Sequence, residues 1–370
     1  MANKAFKFRL YPNAQQEQLI LKTFGCCRFI YNKMLSDRIA YYEGYQQSLK
    51  NTPAQYKGEF QFLKEVDSTA LVNEQQFLNA AYNNFFRNPG KTGYPKYKSK
   101  KADRQSYTAN CINSSIKVLD SKHIQLPKLG SVKIDGHREI PKDHIIKTAT
   151  VSKHSSGKYY ISICTEYDLL VPIVHLDPNK SIGLDYSSPD FYVDNQNISP
   201  YNHQHFYREA EAKLAKEQRK LSHMCPKSKN YLKQKAKIAK LHEHIANQRK
   251  DFIEKLSFNF ANTYDIVCLE DINLKGMAQS LNLGKSTMDN GFGMFRTRLI
   301  QKMEAQGKIV YKVDKWFPSS KLCSHCGTLN SQLTLKDREW KCACGKYLKR
   351  DENAANNLRL EGLRQLGFSI

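Results

Sequence analysis

Ser181-Ile182-Gly183-Leu184-Asp185 is a short apolar run that closes on a carboxylate. Its length and apolar character suit a buried strand. Phe191–Asp194, FYVD, reads as its hairpin partner, and Ile266-Val267-Cys268-Leu269-Glu270 is a second apolar strand ending in an acid. Ile309–Val313, IVYKV, is a further strand. Helical patterns lie between and after these runs: from about Phe206, from about Ser228 to Tyr264, from about Gly293 to Gln306, and again from Arg350. Strands interleaved with helices predict an α/β layer. In a sheet whose strands adjoin, the two strand-end acids Asp185 and Glu270 can sit side by side. A helix packed on that sheet can deliver a third, Asp351. Such a cluster repels itself, and it persists where a divalent metal neutralises it. Two Mg²⁺ ions held there can activate a water and stabilise the leaving oxygen in phosphodiester cleavage. Singly, each acid has a plainer use. Asp351 could favour a helix N-terminus, and Glu270 could be a strand-end surface charge. Asp271 competes with Glu270, although alternation points it to the opposite face.

The segment Cys323-Ser324-His325-Cys326-Gly327 is a Cys-x2-Cys knuckle, and Cys342-Ala343-Cys344-Gly345 follows it. Two close cysteine pairs, each followed by glycine, can present four thiolates tetrahedrally to one structural Zn²⁺. The second pair is a residue shorter than usual, so the narrower chelate could be strained and His325 could replace a thiolate. With all four positions filled by protein, the zinc would not be catalytic. The other six cysteines are scattered. The adjacent Cys26 and Cys27 point in different directions on a helix and read as structural thiols.

Towards the N-terminus the style differs. KAFKFRLY (residues 4–11) alternates apolar and basic side chains as a strand does. Helical spacing runs from Gln15 to about Lys50, with Asn13 a plausible N-cap, and again from about Ser68 to Arg87. Residues 88–101 mix Gly and Pro with Lys91, Tyr94, Lys96 and Lys98, which suits a loop gripping phosphates and stacking on bases. A solvated linker would look similar. From about Ser106 to Val174 short alternating runs predict an all-β unit, a small barrel that the first strand completes with the helices inserted between.

The 370 residues carry 58 Lys+Arg against 35 Asp+Glu, a net charge of +23 spread along the chain. Excess lysine can merely solubilise, but a surplus this wide favours a polyanion partner over a small acidic ligand. The 18 Phe and 21 Tyr argue against a disordered chain. No apolar run approaches the roughly 18–20 residues of a membrane span, and the first residues do not form a secretory signal. A cytoplasmic protein, nucleoid-associated when on DNA, is expected.

The motifs IGLD (182–185), LEDINLKG (269–276) and RDENAA (350–355) resemble the three acidic motifs of a RuvC-type nuclease of the RNase H fold. WFPSSKLCSHCG (316–327) resembles the zinc knuckle that they flank in the TnpB family, transposon-associated relatives of type V CRISPR effectors. FRLYP (8–12), NFFR (84–87) and GYPKY (93–97) extend the likeness over nearly the whole chain. The short second cysteine pair, and Leu348-Lys349 where His-Asp commonly precede Arg-Asp, depart from it. The resemblance implies an RNA-guided and Mg²⁺-dependent DNA endonuclease; a monomer is expected, although the sequence does not fix the oligomeric state. Its catalytic and magnesium ligands would be Asp185, Glu270 and Asp351, and its zinc ligands Cys323, Cys326, Cys342 and Cys344. A guide RNA from the transposon end and target double-stranded DNA would be the partners, with a short flanking motif read by the protein. It implies a β-barrel wedge domain (1–12 and 106–178), an inserted helical recognition domain (13–105), a RuvC-like nuclease domain (179–317 and 349–370) and a zinc-ribbon insertion (318–348). Asn73, Gln76 and Arg87 on the polar face of the Ser68–Arg87 helix are candidates for reading the motif, since Asn and Gln can contact adenine edges. Two other functions remain open: an RNA-guided DNA-binding repressor with a dead nuclease site, and a protein-only transposase or resolvase.

Overall fold

Buried Phe6, Phe8 and Leu10 alternate with more exposed neighbours and fix strand β1 (Ala2–Tyr11). The computed structural model describes residues 1–101, 105–200, 205–280, 289–334 and 336–369. These form two units, Met1–Leu169 and Leu170–Ile370.

In the first unit β1 leads into α1 (Ala14–Tyr45), α2 (Pro53–Tyr56) and α3 (Ser68–Arg87). The strands β2 (Gln105–Asn110), β3 (Lys117–Val118), β4 (His123–Leu126), β5 (Gly130–Asp135), β6 (Ile145–Lys153) and β7 (Tyr159–Tyr167) follow. Asn13 caps α1 reciprocally: the Gln16 backbone N–H donates to Asn13 Oδ1 at 2.9 Å, and the Asn13 N–H donates to Gln16 Oε1 at 3.0 Å. The helix stops before the expected Lys50 because Gln46 takes a left-handed cap conformation, φ 54°. All strand pairings are antiparallel, in the order β2-β6-β7-β1-β5-β4-β3. The first strand therefore completes a sheet whose other members lie beyond the helices. No closed barrel forms among the described residues. The edge strand β3 has only two residues, both exposed, too few to span a seam. One apolar core joins Phe6, Phe8, Ile161 and Ile163 of the sheet to Ile20, Ile30, Leu35 and Leu71 of the helices. Cys26 and Cys27 are both buried in it, and burial pushes both thiols up, which fits inert structural cysteines.

The second unit contains β8 (Ser181–Ser187), β9 (Phe191–Asp194), α4 (Phe206–Ser222), α5 (Lys229–Thr263), β10 (Ile266–Glu270) and α6 (Leu274–Ser280). Then come α7 (Phe292–Glu304), β11 (Ile309–Val313), the short pair β12 (Glu339–Lys341) and β13 (Tyr347–Lys349), and α8 (Arg350–Gln365). The main sheet runs β11-β10-β8-β9, with β10 parallel to both neighbours and β9 antiparallel. Strand parity sorts its two faces. Ile182, Leu184, Val267 and Leu269 join an aromatic core with Phe260 of α5 and Phe292 and Phe295 of α7. Ile266 and Cys268 face the other way, onto Leu363 of α8. Gly183 shares that second face, where a Cβ would stand 1.9 Å from the Ala355 carbonyl oxygen. Only glycine lets α8 lie this close to β8. Among the described residues no helix is long and apolar enough to cross a membrane.

Candidate functional site

The same parity positions the acids. Leu184 and Leu269 are register partners, so Asp185 and Glu270 follow one residue on, adjacent and on the α8 side of the sheet. Helix α8 brings Asp351 on its first turn. Its placement is held by Arg359, whose Nε donates to Ser181 Oγ at 2.7 Å, and by the Gly183–Ala355 approach. Burial first, then the charges of Asp351 and Glu270, push the Asp185 carboxyl up to about 8, while Arg350 opposes the shift. Burial also raises Glu270. The charges of two acids from separate stretches of chain thus reach Asp185. Such a donor set, oxygen-only and self-repelling, fits a hard divalent cation. Asp271 points elsewhere. It is half exposed and pairs with Arg296 at 3.5 Å and Lys312 at 4.0 Å.

Two cations beside the acids were not singled out from sequence. Arg350 contacts Asp351 at 3.2 Å and Arg338 contacts it at 3.4 Å. The dipeptide Arg350-Asp351 signalled the first; nothing local signalled Arg338, which precedes β12.

All four predicted cysteine sulfurs lie within 4.8 Å of one another. The edges Cys323–Cys344 and Cys326–Cys342 measure 3.9 and 3.5 Å. A regular tetrahedron with Zn–S bonds of 2.3 Å has edges of about 3.8 Å. The donor chemistry and spacing therefore fit zinc. The missing residue of the second pair is absorbed in its turn. The Cys323 N–H donates to Thr328 O at 2.9 Å, whereas the Cys342 N–H reaches Lys346 O at 2.8 Å, one residue sooner. Gly327 and Gly345 close these turns at φ +74° and +88°. His325 is exposed and stands outside the four-sulfur group. Thr328, 3.3 Å from the Cys326 sulfur, helps lower that thiol to about 6, towards the ligating thiolate.

The module is tied to the acid-bearing helix. Asn353 and Asn357 of α8 are buried. The Asn353 amide donates to Leu322 O at 2.7 Å and its oxygen accepts from Ser324 N–H at 2.9 Å. Asn357 donates to Ser319 O at 2.7 Å and to Leu322 O at 2.6 Å. These asparagines were not among the sequence candidates. Nothing in their spacing separates a loop clamp from a polar helix face.

The candidate nucleic-acid residues divide. Gln76, Arg87, Lys91 and Lys96 are exposed. Asn73 is not: it is buried, and its amide nitrogen donates to Thr69 O, Thr108 O and Asn110 Oδ1 at 2.9–3.0 Å. Helical periodicity placed it on the polar face, but β2 covers that position and uses the amide as a strut. Tyr94 is braced by the Tyr82 hydroxyl at 2.9 Å. Lys98 pairs with buried Glu74 and sits over the Tyr31 ring at 4.4 Å. The loop carrying Tyr94 and Lys98 is therefore anchored to the helices.

Three family profiles match the chain: a helix-turn-helix domain (OrfB_IS605) over residues 1–47, a "Probable transposase" (OrfB_IS605) over 162–281, and a Cas12f1-like TNB domain over 292–358. A "Putative RNA-guided DNA endonuclease" of Streptomyces pristinaespiralis is 32% identical over 367 residues, 97% of this chain and 89% of the relative. "Putative RNA-guided DNA endonuclease InsQ" of Escherichia coli K12 is 29% identical, over 97% of this chain and 92% of that one. The protein of the Cas12f1-sgRNA-target DNA complex matches with a TM-score of 0.54 at 15% identity, over 97% of this chain and 98% of that one, a likeness of fold.

Proposed function

The chain belongs to the TnpB family, and from that premise we propose that it is an RNA-guided, Mg²⁺-dependent DNA endonuclease. It would cleave target DNA that pairs with a guide RNA and lies beside a short transposon-associated motif. The observation that carries this reading is the strand parity that puts Asp185 and Glu270 on the face covered by α8, with Asp351 at its start. These three carboxylates would hold the catalytic magnesium ions, which when bound lower the pKa of water and stabilise the leaving oxygen. The chain's own part is positional. Asp185 and Glu270 are fixed by sheet register, Asp351 by the packing of α8, and Arg350 and Arg338 hold its carboxylate. The order β11-β10-β8-β9 with β9 antiparallel is consistent with an RNase H-like nuclease domain over 179–317 and 349–370. On this reading residues 318–348 are a zinc-binding insertion, 1–12 and 106–178 a wedge sheet, and 13–105 a recognition domain.

The test is to purify the full chain from cells carrying its transposon end, sequence the RNA that copurifies, and supply matched plasmids with Mg²⁺. Cutting that follows the guide sequence is expected. Guide-directed binding without cutting would mark a repressor, and cutting without RNA a transposase or resolvase. Either result overturns the proposal.

A pH dependence follows from the raised Asp185 carboxyl. Below about 8 the metal-free side chain holds a proton that it must give up to ligate. Affinity for Mg²⁺ should therefore weaken as pH falls from 8 to 6. Calorimetry at pH 7 in two buffers of different ionisation enthalpy should detect proton release. Identical heats in the two buffers would contradict it.

A further inference from the structure

A cleft of about 460 Å³ lies between one face of α1 and the loop that ends at Lys98. The α1 side is a helical stripe of Gly25, Arg28, Phe29, Asn32, Lys33 and Ser36, with Lys33 already paired to Asp37 at 2.9 Å. Tyr97 forms the opposite wall. Three features set this cleft apart from ordinary surface. Arg28 has no ion pair or hydrogen bond among the described residues, although it is partly buried. Tyr97 is 56% exposed and stacks on no other ring among the described residues. Gly25 sits in the middle of a long helix, where glycine is disfavoured relative to alanine. A Cβ there would meet nothing within 4 Å. The fold itself therefore gives no reason for glycine at this position.

The wall is also built to stay in place. Asn32 grips the loop backbone twice: its amide donates to Lys98 O at 3.0 Å, and its oxygen accepts from Lys98 N–H at 2.7 Å. The Lys98 ammonium is held in turn by Glu74. An unused guanidinium, an unused aromatic face and a bare stretch of helix backbone thus converge on a preformed space.

We infer that this cleft holds one unpaired nucleotide, its phosphate on Arg28, its base against Tyr97 and its sugar close to the backbone at Gly25. The chemistry matches each part. A guanidinium forks onto phosphate, a tyrosine stacks on any base, and glycine admits close backbone approach. The volume falls in the range of small-ligand sites, about 300–1,000 Å³. The inference rests on the nucleic-acid-binding role proposed above and adds Gly25 and Arg28 of α1, and Tyr97 of the loop, to the loop and α3 candidates.

The full chain should be titrated with fluorescent 20-nucleotide single strands of RNA and of DNA and with the matching DNA duplex. Arg28→Ala and Tyr97→Ala should each weaken single-strand binding on the order of tenfold. Arg28→Ala should also flatten the log–log salt slope by about 0.7, whereas Tyr97→Ala should leave it unchanged. Gly25→Ala should keep or raise Tm while weakening binding, an outcome that a merely tolerated glycine would not give. Loss on RNA alone places a guide nucleotide in the cleft, and loss on single-stranded DNA alone places a target-strand nucleotide there. Parent-like affinity of the variants for both single strands, or equal loss on the duplex, overturns the inference. A parent chain that binds none of the three probes overturns the nucleic-acid role itself.

Discussion

Asp185→Asn is expected to abolish magnesium-supported DNA cleavage while leaving the protein folded and no less stable without metal. The loss should be at least on the order of 10²–10³-fold, since one metal-holding carboxylate accounts for several kcal/mol of transition-state stabilisation. Asparagine keeps the shape but removes the charge that burial, Asp351 and Glu270 make costly. Metal-free Tm at pH 8 should therefore hold or rise. Glu270→Gln and Asp351→Asn should lose cleavage similarly. Asp271→Asn is the internal control. Its carboxylate sits among Arg296 and Lys312, on the other side of the strand, and should be dispensable for cleavage. Plasmid nicking assays with the guide RNA fixed, run beside thermal melts, separate chemistry from folding. Full activity in Asp185→Asn, or activity lost only in Asp271→Asn, would remove Asp185 from the catalytic centre.

Removing zinc should unfold residues 318–349 locally and loosen the start of α8. Among the described residues the buried apolar core of this module is Cys323, Leu333, Trp340 and Cys342, and two of those would be zinc ligands. So small a core cannot offset the conformational entropy of about thirty residues. Structural zinc contributes about 10–16 kcal/mol of apparent binding free energy in comparable peptides. With the knuckle unfolded, Asn353 and Asn357 lose their acceptors at Ser319 and Leu322. Each lost buried hydrogen bond costs about 1 kcal/mol, next to the residue that places Asp351. Elemental analysis should find one zinc per chain, and none with Cys342→Ser. Amide exchange across 318–349 should rise by orders of magnitude on chelation, with a smaller rise over 350–357. Unchanged protection in zinc-free protein would show that the module folds without the metal.

How far each feature was legible depends on the range of the interaction behind it. The strands of the second unit, the cap at Asn13 and the cysteine knuckles were legible because periodicity, capping and chelate spacing act over a few residues. Asp271 could be set against Glu270 by alternation alone, and its ion pairs bear that out. Asn73 could not be assigned, because a polar residue on a helix looks the same whether it meets solvent or the edge of β2. The barrel expectation failed to close for a related reason. Alternation tells which residues form strands, but closure depends on whether the two edge strands are long enough to pair.

By itself the amino-acid order determined the basic surface, the strand-and-helix sequence, the three acids and the four thiols, since each is written in composition or in short-range spacing. The tertiary structure alone decided that β8 and β10 are parallel neighbours in a register that sets Asp185 beside Glu270, and that α8 covers that face. It also decided that Asn32 pins a loop across α1 to form a cleft. Those facts depend on contacts between residues dozens to more than a hundred positions apart, and such contacts are selected by packing of the whole core, which no local pattern encodes.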